Sequence, residues 1–515
     1  MSSEKLLVYD VSNDKWQYDI EAIQAIGIID TNIVELIARN IQKLPSDTVR
    51  ALQLAACIGN QFSLEVLAIV SETSQLATAQ SLWDALQAGL ILPLNEAYKI
   101  PLVFGGEEES AAFVLSDVKI DYRFLHDRVQ QAAYSLIPES ERKETHLKIG
   151  QLLLANTTPE SRKDNIFALV NQLNFGTDLI AVQTEKNELA YFNLIAGQKA
   201  KAAAAYEAAV NYLNVGIGLL AADSWQSHYD LTLNLYVEAV EAEYLNTNFE
   251  RAKFLAEEVL GKATNLLDKV KVYEAKIQIY MAQIQMQLAI DIGLQALEML
   301  GVSLEKKPPR DVEIEELINL PEMTEPYKLA AMWLLMKIMP PVYVTNPALL
   351  PSVIFTMIHL SIKYGNSSPA TYGYAMYGLL LCGPFLDIEK GYRYGELAVM
   401  LLNKLNAIGF KSRVLGLFNG YVRHWKEHTK ETIEPLINAI NYGLENGDIE
   451  GASYSAITYC NHNLFIGEYL ESVESNYLHY VKLMSKLKQE FSIFITKVFQ
   501  QMILNFKKKQ QEKLH

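Results

Sequence analysis

Glycine and proline are both scarce in this chain of 515 residues, at 26 and 16. So few turn-formers disfavour β-sandwiches, barrels and loop-rich enzymes, and favour long helices. Cysteine is rarer still. Cys57, Cys382 and Cys460 are far apart and odd in number, which excludes a disulfide framework and a cysteine-based zinc cluster and points to a reducing, cytoplasmic setting. The chain also lacks net basic charge: 45 Lys and Arg face 60 Asp and Glu, for a formal charge of −15. Phosphate attraction needs a basic face, so no nucleic-acid or acidic-lipid partner is expected. No apolar run reaches the ~18 residues of a membrane span. The nearest, residues 329–344, holds Lys337 and Pro340-Pro341, where the helix should break, so it reads as a buried helix. Residues 1–16 are polar and do not read as a signal peptide. Half the residues are apolar and a fifth charged, as in globular chains. At ~100–200 residues per domain, the length fits about three domains or one repeat array.

Helical periodicity dominates. Asp30-Thr31-Asn32 can cap a helix to Lys43, Pro45-Ser46-Asp47 starts a second that Gly59-Asn60 closes, and Phe62-Ser63 opens a third. A fourth spans residues 76–88. The period then changes. Residues 90–94, 98–104, 112–115 and 120–125 are short β-favouring runs, and Val118, Ile120, Tyr122 and Phe124 alternate to one face. Gly105-Gly106-Glu107-Glu108-Glu109 is a loop between them. Short helices followed by a small antiparallel sheet are the layout of a winged-helix domain, with the acidic tract in the wing.

From His126 onward no strand is expected, and repeats are sought. Ala196-Gly197, Ala200, Ala209, Leu213 and Gly216 match the small-residue spacing of a tetratricopeptide unit, where two antiparallel helices approach closely. Asn248-Phe249 with Ala252 and Leu255 marks a second, and Ala289, Gly293 and Ala296 a third. Ala209, Ala252 and Ala289 lie 43 and 37 residues apart, so the repeats are degenerate. Gly391, Gly395 and Ala398 repeat the spacing, as does a turn at Tyr442-Gly443. Residues 303–326, with Pro308, Pro309, Pro321 and Pro326 among charges, read as a linker. The fold class is therefore mainly α: a winged-helix domain followed by a tetratricopeptide-like α-solenoid. Its expected divisions are an N-terminal segment at 1–29, the winged helix at 30–137, repeats at 138–302, the linker, and further helical hairpins at 327–515.

Catalytic apparatus is missing from the sequence. There is no G-x-x-x-x-G-K-[ST] loop, no H-R-D, D-F-G or V-A-I-K, no G-x-S-x-G and no H-E-x-x-H. The chain alone is expected to be no enzyme and to hold no cofactor. His424 and His428, four apart in His424-Trp425-Lys426-Glu427-His428, would share a helix face and are weak metal-ligand candidates, with His462 as a third. The plainer reading is a solvated, mixed-charge face. Tyr372, Tyr374, Tyr377, Tyr392 and Tyr394 could line a peptide groove, but such positions more often pack helix on helix. The terminal lysines read as the solvated end of a helix.

The informative constellation is residues 121–134, DYRFLHDRVQQAAY, a strand handing off to a helix. Asp127 suits the helix N-terminus and can cap its free N–H groups. His126 at the same turn can project toward a neighbouring domain and sense a phosphate, or simply satisfy a local carbonyl. Leu125-His126-Asp127 resembles the Met-His-Asp motif of the signal-transduction ATPases with numerous domains, with Leu125 in place of Met. LPSDTVRALQLAACIGNQFSLEVLAIV (44–70), YRFLHDRVQQAAYSLIPESERKETHLKIGQLLL (122–154) and NLIAGQKAKAAAAYEAAVNYLNVGIGLL (193–220) are similar to the cyanobacterial-type hybrid multi-sensor kinases. That family joins a serine/threonine kinase, an AAA-type ATPase module, a tetratricopeptide-like region, a GAF sensor and a histidine kinase.

The resemblance implies that His126 contacts the β-phosphate of ADP, with Asp127 beside it, once a P-loop domain is supplied. ATP and ADP are thus ligands of the family. It also implies that the chain is a fragment, beginning inside the ATPase module and ending inside the repeats. The expected role is a non-catalytic signalling scaffold coupling an ATPase-type switch to kinase output. Its partners would be a protein or peptide on the repeat surface and a P-loop ATPase or kinase chain. The alternative is a winged-helix transcriptional regulator with a ligand-sensing repeat domain. Against it, the presumed recognition helix, LATAQSLWDALQA, carries no Lys or Arg.

Overall fold

The computed structural model describes residues 7–10, 15–18, 33–103, 115, 118–487 and 489–514. The Gly105–Glu109 loop, the run at 112–114 and the Asp30–Asn32 cap lie outside the described residues. The chain divides into two compact units, Met1–Thr247 and Asn248–His515.

In the first unit, strands β1 (Leu7–Asp10) and β2 (Lys15–Tyr18) form an antiparallel hairpin with Leu7 opposite Tyr18. Helix Ser46–Ile58 is followed by β3 (Gln61–Ser63), helix Leu64–Ser71, helices Gln75–Ser81 and Trp83–Gln87, and β4 (Ile91–Pro93). After a long connection, β5 (Asp121–Phe124) inserts between β3 and β4, antiparallel to both. The sheet order is β3-β5-β4, and β3 precedes three of the helices, where the sequence placed only a helix start.

The period-2 alternation in β5 works as read: Tyr122 and Phe124 are buried while Arg123 is exposed. Phe62 stacks on Tyr122 with ring centroids 5.8 Å apart and meets Phe124 at 5.6 Å. Ser63 and Ser74 cap the two following helices through their hydroxyls. Residues 98–103 differ from the strand expectation. Asn95 caps a short 3₁₀ turn, Glu96–Lys99, which runs into helix Ile100–Val103. An Asx side chain bonding the backbone two residues on starts a turn, and this overrides the β-propensity of the apolar run.

The remainder is helical, built from antiparallel pairs. Five turns share one backbone solution. Ala204, Thr247, Ile284, Leu386 and Gly447 adopt φ of 56, 66, 59, 56 and 79°. Each lies two residues before the next helix and five before a buried small residue: Ala209, Ala252, Ala289, Gly391 and Ala452. The left-handed residue lets the following N–H reach back to a helix-end carbonyl, as from Ala205 to Ala200 (2.9 Å) and from Gln285 to Tyr280 (2.8 Å). The small residue admits the partner helix. Gly197 of helix Gln183–Ala202 marks such an approach, since a Cβ there would sit 2.5 Å from Cγ of Leu213 on helix Tyr206–Gly218. The turn of the last pair is at Gly447. Tyr442 and Gly443 lie inside helix Ile433–Asn446, because Gly443 is the contact point for Ala452.

In the second unit, two expectations from proline fail for one reason. Helix Pro326–Thr345 runs straight through Pro340-Pro341. Burial of Ile338, Met339, Pro341 and Val342 holds it despite two missing N–H donors. Residues 303–326 are no free linker. Val312, Ile314, Leu317 and Met323 join the core, and Ile314–Ile318 forms a helical turn. Asn366 binds the carbonyls of Leu317 (2.7 Å) and Pro321 (2.8 Å), and Met323 donates to the Asn366 carbonyl at 2.7 Å. The charges that suggested solvation pair instead with helix Ile388–Lys404: Asp311 with Lys390, and Glu313 and Glu315 with Arg393.

Among the described residues, Pro347–Tyr364 rather than 329–344 is the stretch long and apolar enough to cross a membrane by length and composition, and half of it is buried within the protein.

Candidate functional site

The corner between β5 and helix Asp127–Ser135 carries the residues singled out in the sequence. His126 is extended (φ −154°, ψ 151°), and the cap of the helix is its own ring: Nδ1 accepts the Arg128 N–H at 3.1 Å. Two local expectations change. The ring binds an amide N–H rather than a carbonyl, and His126 rather than Asp127 is the cap.

The consequence is chemical. A neutral imidazole whose Nδ1 accepts must carry its proton on Nε2, so the outward nitrogen is a fixed donor. Asp127, in the first turn where a carboxylate suits the helix dipole, accepts from Asn60 Nδ2 at 2.8 Å. Residues 125–128 are all exposed, with Leu125 at 54%. The corner thus presents an apolar side chain, a directed N–H donor and Arg128 together.

The helix behind that corner is tied down at several points. Gln130 donates to the Ala56 carbonyl and Gln53 to the Leu136 carbonyl, both at 3.1 Å. Tyr134 donates to His146 Nε2 (3.0 Å), His146 Nδ1 to Gln172 Oε1 (2.6 Å), and Gln172 Nε2 to the Cys57 carbonyl (2.8 Å). This chain of polar groups joins the His126 helix to helices Glu139–Ala155, Ile166–Phe175 and Ser46–Ile58. Burial holds the His146 pKa below its ordinary value, consistent with a neutral ring serving as donor and acceptor at once. Burial likewise pushes the Cys57 thiol up to about 12, so it is an inert packing group. The network was missed in the sequence. Its trace there is His146 and Gln172, polar residues on otherwise apolar helix faces.

The pairing of His424 with His428 does not form. Residues 418–422 are a π-helical turn, residues 423–425 a 3₁₀ turn, and the chain then leaves the helix. His428 instead caps the next 3₁₀ turn, its Nδ1 accepting the Lys430 N–H at 3.1 Å. The helix ends at Trp425, between the two histidines, so there is no i,i+4 register for them to share. The tertiary neighbour of His424 is His462, with ring centroids 5.7 Å apart. His462 Nδ1 meets Thr432 Oγ1 at 2.6 Å. Burial first, and then the neighbouring His424, lower the His462 pKa to about 4. No group of three or more His, Cys, Asp or Glu that could hold a metal exists among the described residues.

The tyrosines pack rather than line a groove. Tyr374, Tyr377 and Tyr394 are buried, with Tyr377 and Tyr394 edge-to-face at 4.8 Å. Tyr392 binds Glu427. Lys507 of the terminal lysine run pairs with Glu474 at 2.7 Å. Cys57, Cys382 and Cys460 are free and buried.

No family model matches the chain. It is similar to a Dictyostelium discoideum protein described as hybrid signal transduction histidine kinase G, at 25% identity over 572 residues, covering 96% of this chain. Among solved structures, a Signal Transduction ATPase with Numerous Domains (STAND) protein with a tetratricopeptide repeat sensor from Pyrococcus horikoshii aligns with 93% of this chain, at 13% identity and a TM-score of 0.41. The chain spans 17% of the length of the first and 62% of the second.

Proposed function

We propose that this chain is a non-catalytic relay segment of a signalling protein. In this reading His126 reads the phosphate of a nucleotide held by a P-loop domain, and the helical repeats offer a surface to a protein or peptide partner. The observation that carries the reading is the His126 corner: Nδ1 capped by the Arg128 N–H at 3.1 Å, which leaves Nε2–H as an outward donor. A donor fixed in direction is what recognition of a phosphate oxygen needs. The polar chain from Tyr134 to Cys57 gives that helix a rigid mechanical link to the first helices beyond it. The signalling kinase from Dictyostelium supports the context, and an ATP-dependent kinase is the parent activity this reading implies. Three buried free thiols suit a reducing cytoplasm.

The test has two parts. The isolated chain is incubated with radiolabelled ATP, and negligible turnover and labelling are expected; robust autophosphorylation refutes the relay reading. A P-loop ATPase subunit that co-purifies with the chain is then assayed for retained ADP. His126→Ala should lower retention, and unchanged retention overturns the assignment of His126.

A further inference from the structure

The residues that resembled a linker build a cavity of about 390 Å³ within the second unit, between the start of that segment and helices Pro326–Thr345 and Leu350–Tyr364. Its size is that of a small-metabolite site, commonly ~300–1,000 Å³. The floor is buried: Val302 and Leu360 with the Thr356 side chain. The wall carries Lys328, His359 and Tyr364, and the rim Arg310 and Lys363. One carboxylate, Glu305, faces these three fixed cations.

The imbalance is notable in a chain whose formal charge is −15. Two arginines of this unit are each held by a pair of carboxylates: Arg413 lies between Asp448 and Glu450, and Arg393 between Glu313 and Glu315. The cavity cations have no such pairs. Lys328 and Lys363 have no carboxylate within ion-pair distance among the described residues. They flank the Tyr364 ring at 5.9 and 5.2 Å from its centroid. Lys328 commits one of its three donors to the Leu300 carbonyl at 3.2 Å, which positions the ammonium and leaves two. Among the described residues, the ion pair of Arg310 is a long contact of 3.5 Å to an exposed Glu316, the kind of surface pair that contributes little. His359 donates Nδ1–H to the Phe355 carbonyl at 2.8 Å, which orients the rest of its ring.

We infer that this cavity binds a small organic anion of at least two negative charges, an organic phosphate or a polycarboxylate. Lys328, Lys363 and Arg310 receive the anionic groups, and Glu305 accepts from a ligand hydroxyl. The site stands apart from the His126 corner and does not depend on the reading above.

The experiment is calorimetric titration of the full chain with pyrophosphate, glucose 6-phosphate and citrate, with glucose as the uncharged control. Saturable binding of at least one anion and none of glucose is expected, with the arms deciding between phosphate and carboxylate. Arg310→Gln and Lys363→Gln, both at exposed positions, should each weaken binding by about tenfold, as removal of one charge-assisted contact does. Lys486→Gln, at an exposed lysine on helix Leu470–Lys486, should leave it unchanged. No saturable binding of any of the three anions overturns the inference. So does binding that neither Arg310→Gln nor Lys363→Gln weakens, or that Lys486→Gln weakens equally.

Discussion

Replacing Gly391 with alanine adds one methyl group where helix Ile388–Lys404 meets helix Ser368–Cys382. Its Cβ would lie 2.4 Å from Cys382 Sγ, 2.7 Å from the Gly378 carbonyl oxygen and 2.9 Å from the Cys382 nitrogen. Two of these three atoms are backbone and cannot rotate aside, so the helices must separate. Carbon contacts relax at ~3.5 Å, and the overpacking cost should fall toward the upper end of the usual range, about 3 kcal/mol. Alanine favours a helix interior over glycine by about 1 kcal/mol. The net expectation is a loss of about 2 kcal/mol.

Gly261→Ala is the same chemical change in the same unit with nothing within 4 Å of the new Cβ, near the end of helix Phe249–Lys262. Only the propensity remains there, and a gain of about 0.5 kcal/mol follows. Urea unfolding followed by far-ultraviolet circular dichroism measures both. If Gly391→Ala proves as stable as the parent, or if the two variants shift in the same direction, the close approach at Gly391 is not what fixes this helix pair.

Two other outcomes follow from the structure. Ile284 is β-branched, sits at φ 59° and is 80% exposed, so Ile284→Gly relieves a strained backbone at little loss of burial. Relief of ~1–2 kcal/mol against the greater unfolded-state freedom of glycine leaves a net gain of roughly 0.5–1 kcal/mol, and a lower melting temperature would contradict it. His462, with a folded pKa of about 4 against ~6.5 when unfolded, takes up its proton in the unfolded state first. Its contribution is full above pH 6.5 and is lost as pH falls toward 4, about 2 kcal/mol of it by pH 5. His424 and His146, also lowered by burial, act in the same direction. His462→Phe should therefore flatten the stability profile between pH 7 and 5, and an unchanged slope would show that His462 is not buried as described.

Much of the fold was legible locally. The alternation of Tyr122 and Phe124, the small residues at Ala209, Ala252 and Ala289, and the hand-off at His126 are short-range patterns, and periodicity reports short-range structure directly. The turns were harder to read because four of the five shared ones use Ala, Thr, Ile or Leu at left-handed φ. A chain poor in glycine has to make its reversals with other residues, so its punctuation is silent.

Composition and periodicity by themselves determined that this protein is mainly helical, has no disulfide framework and starts a helix at the His126-Asp127 corner. Only the tertiary structure decided which distant side chains meet. It joined His424 to His462 in place of His428, drew residues 303–326 into the core, linked Tyr134 through His146 and Gln172 to Cys57, and gathered Arg310, Lys328 and Lys363 around one cavity. The physical reason is common to all four. A helix fixes the spacing of its own residues, but the register between helices is set by side-chain packing, by the π turn at residues 418–422, and by close approaches such as Gly391 on Gly378.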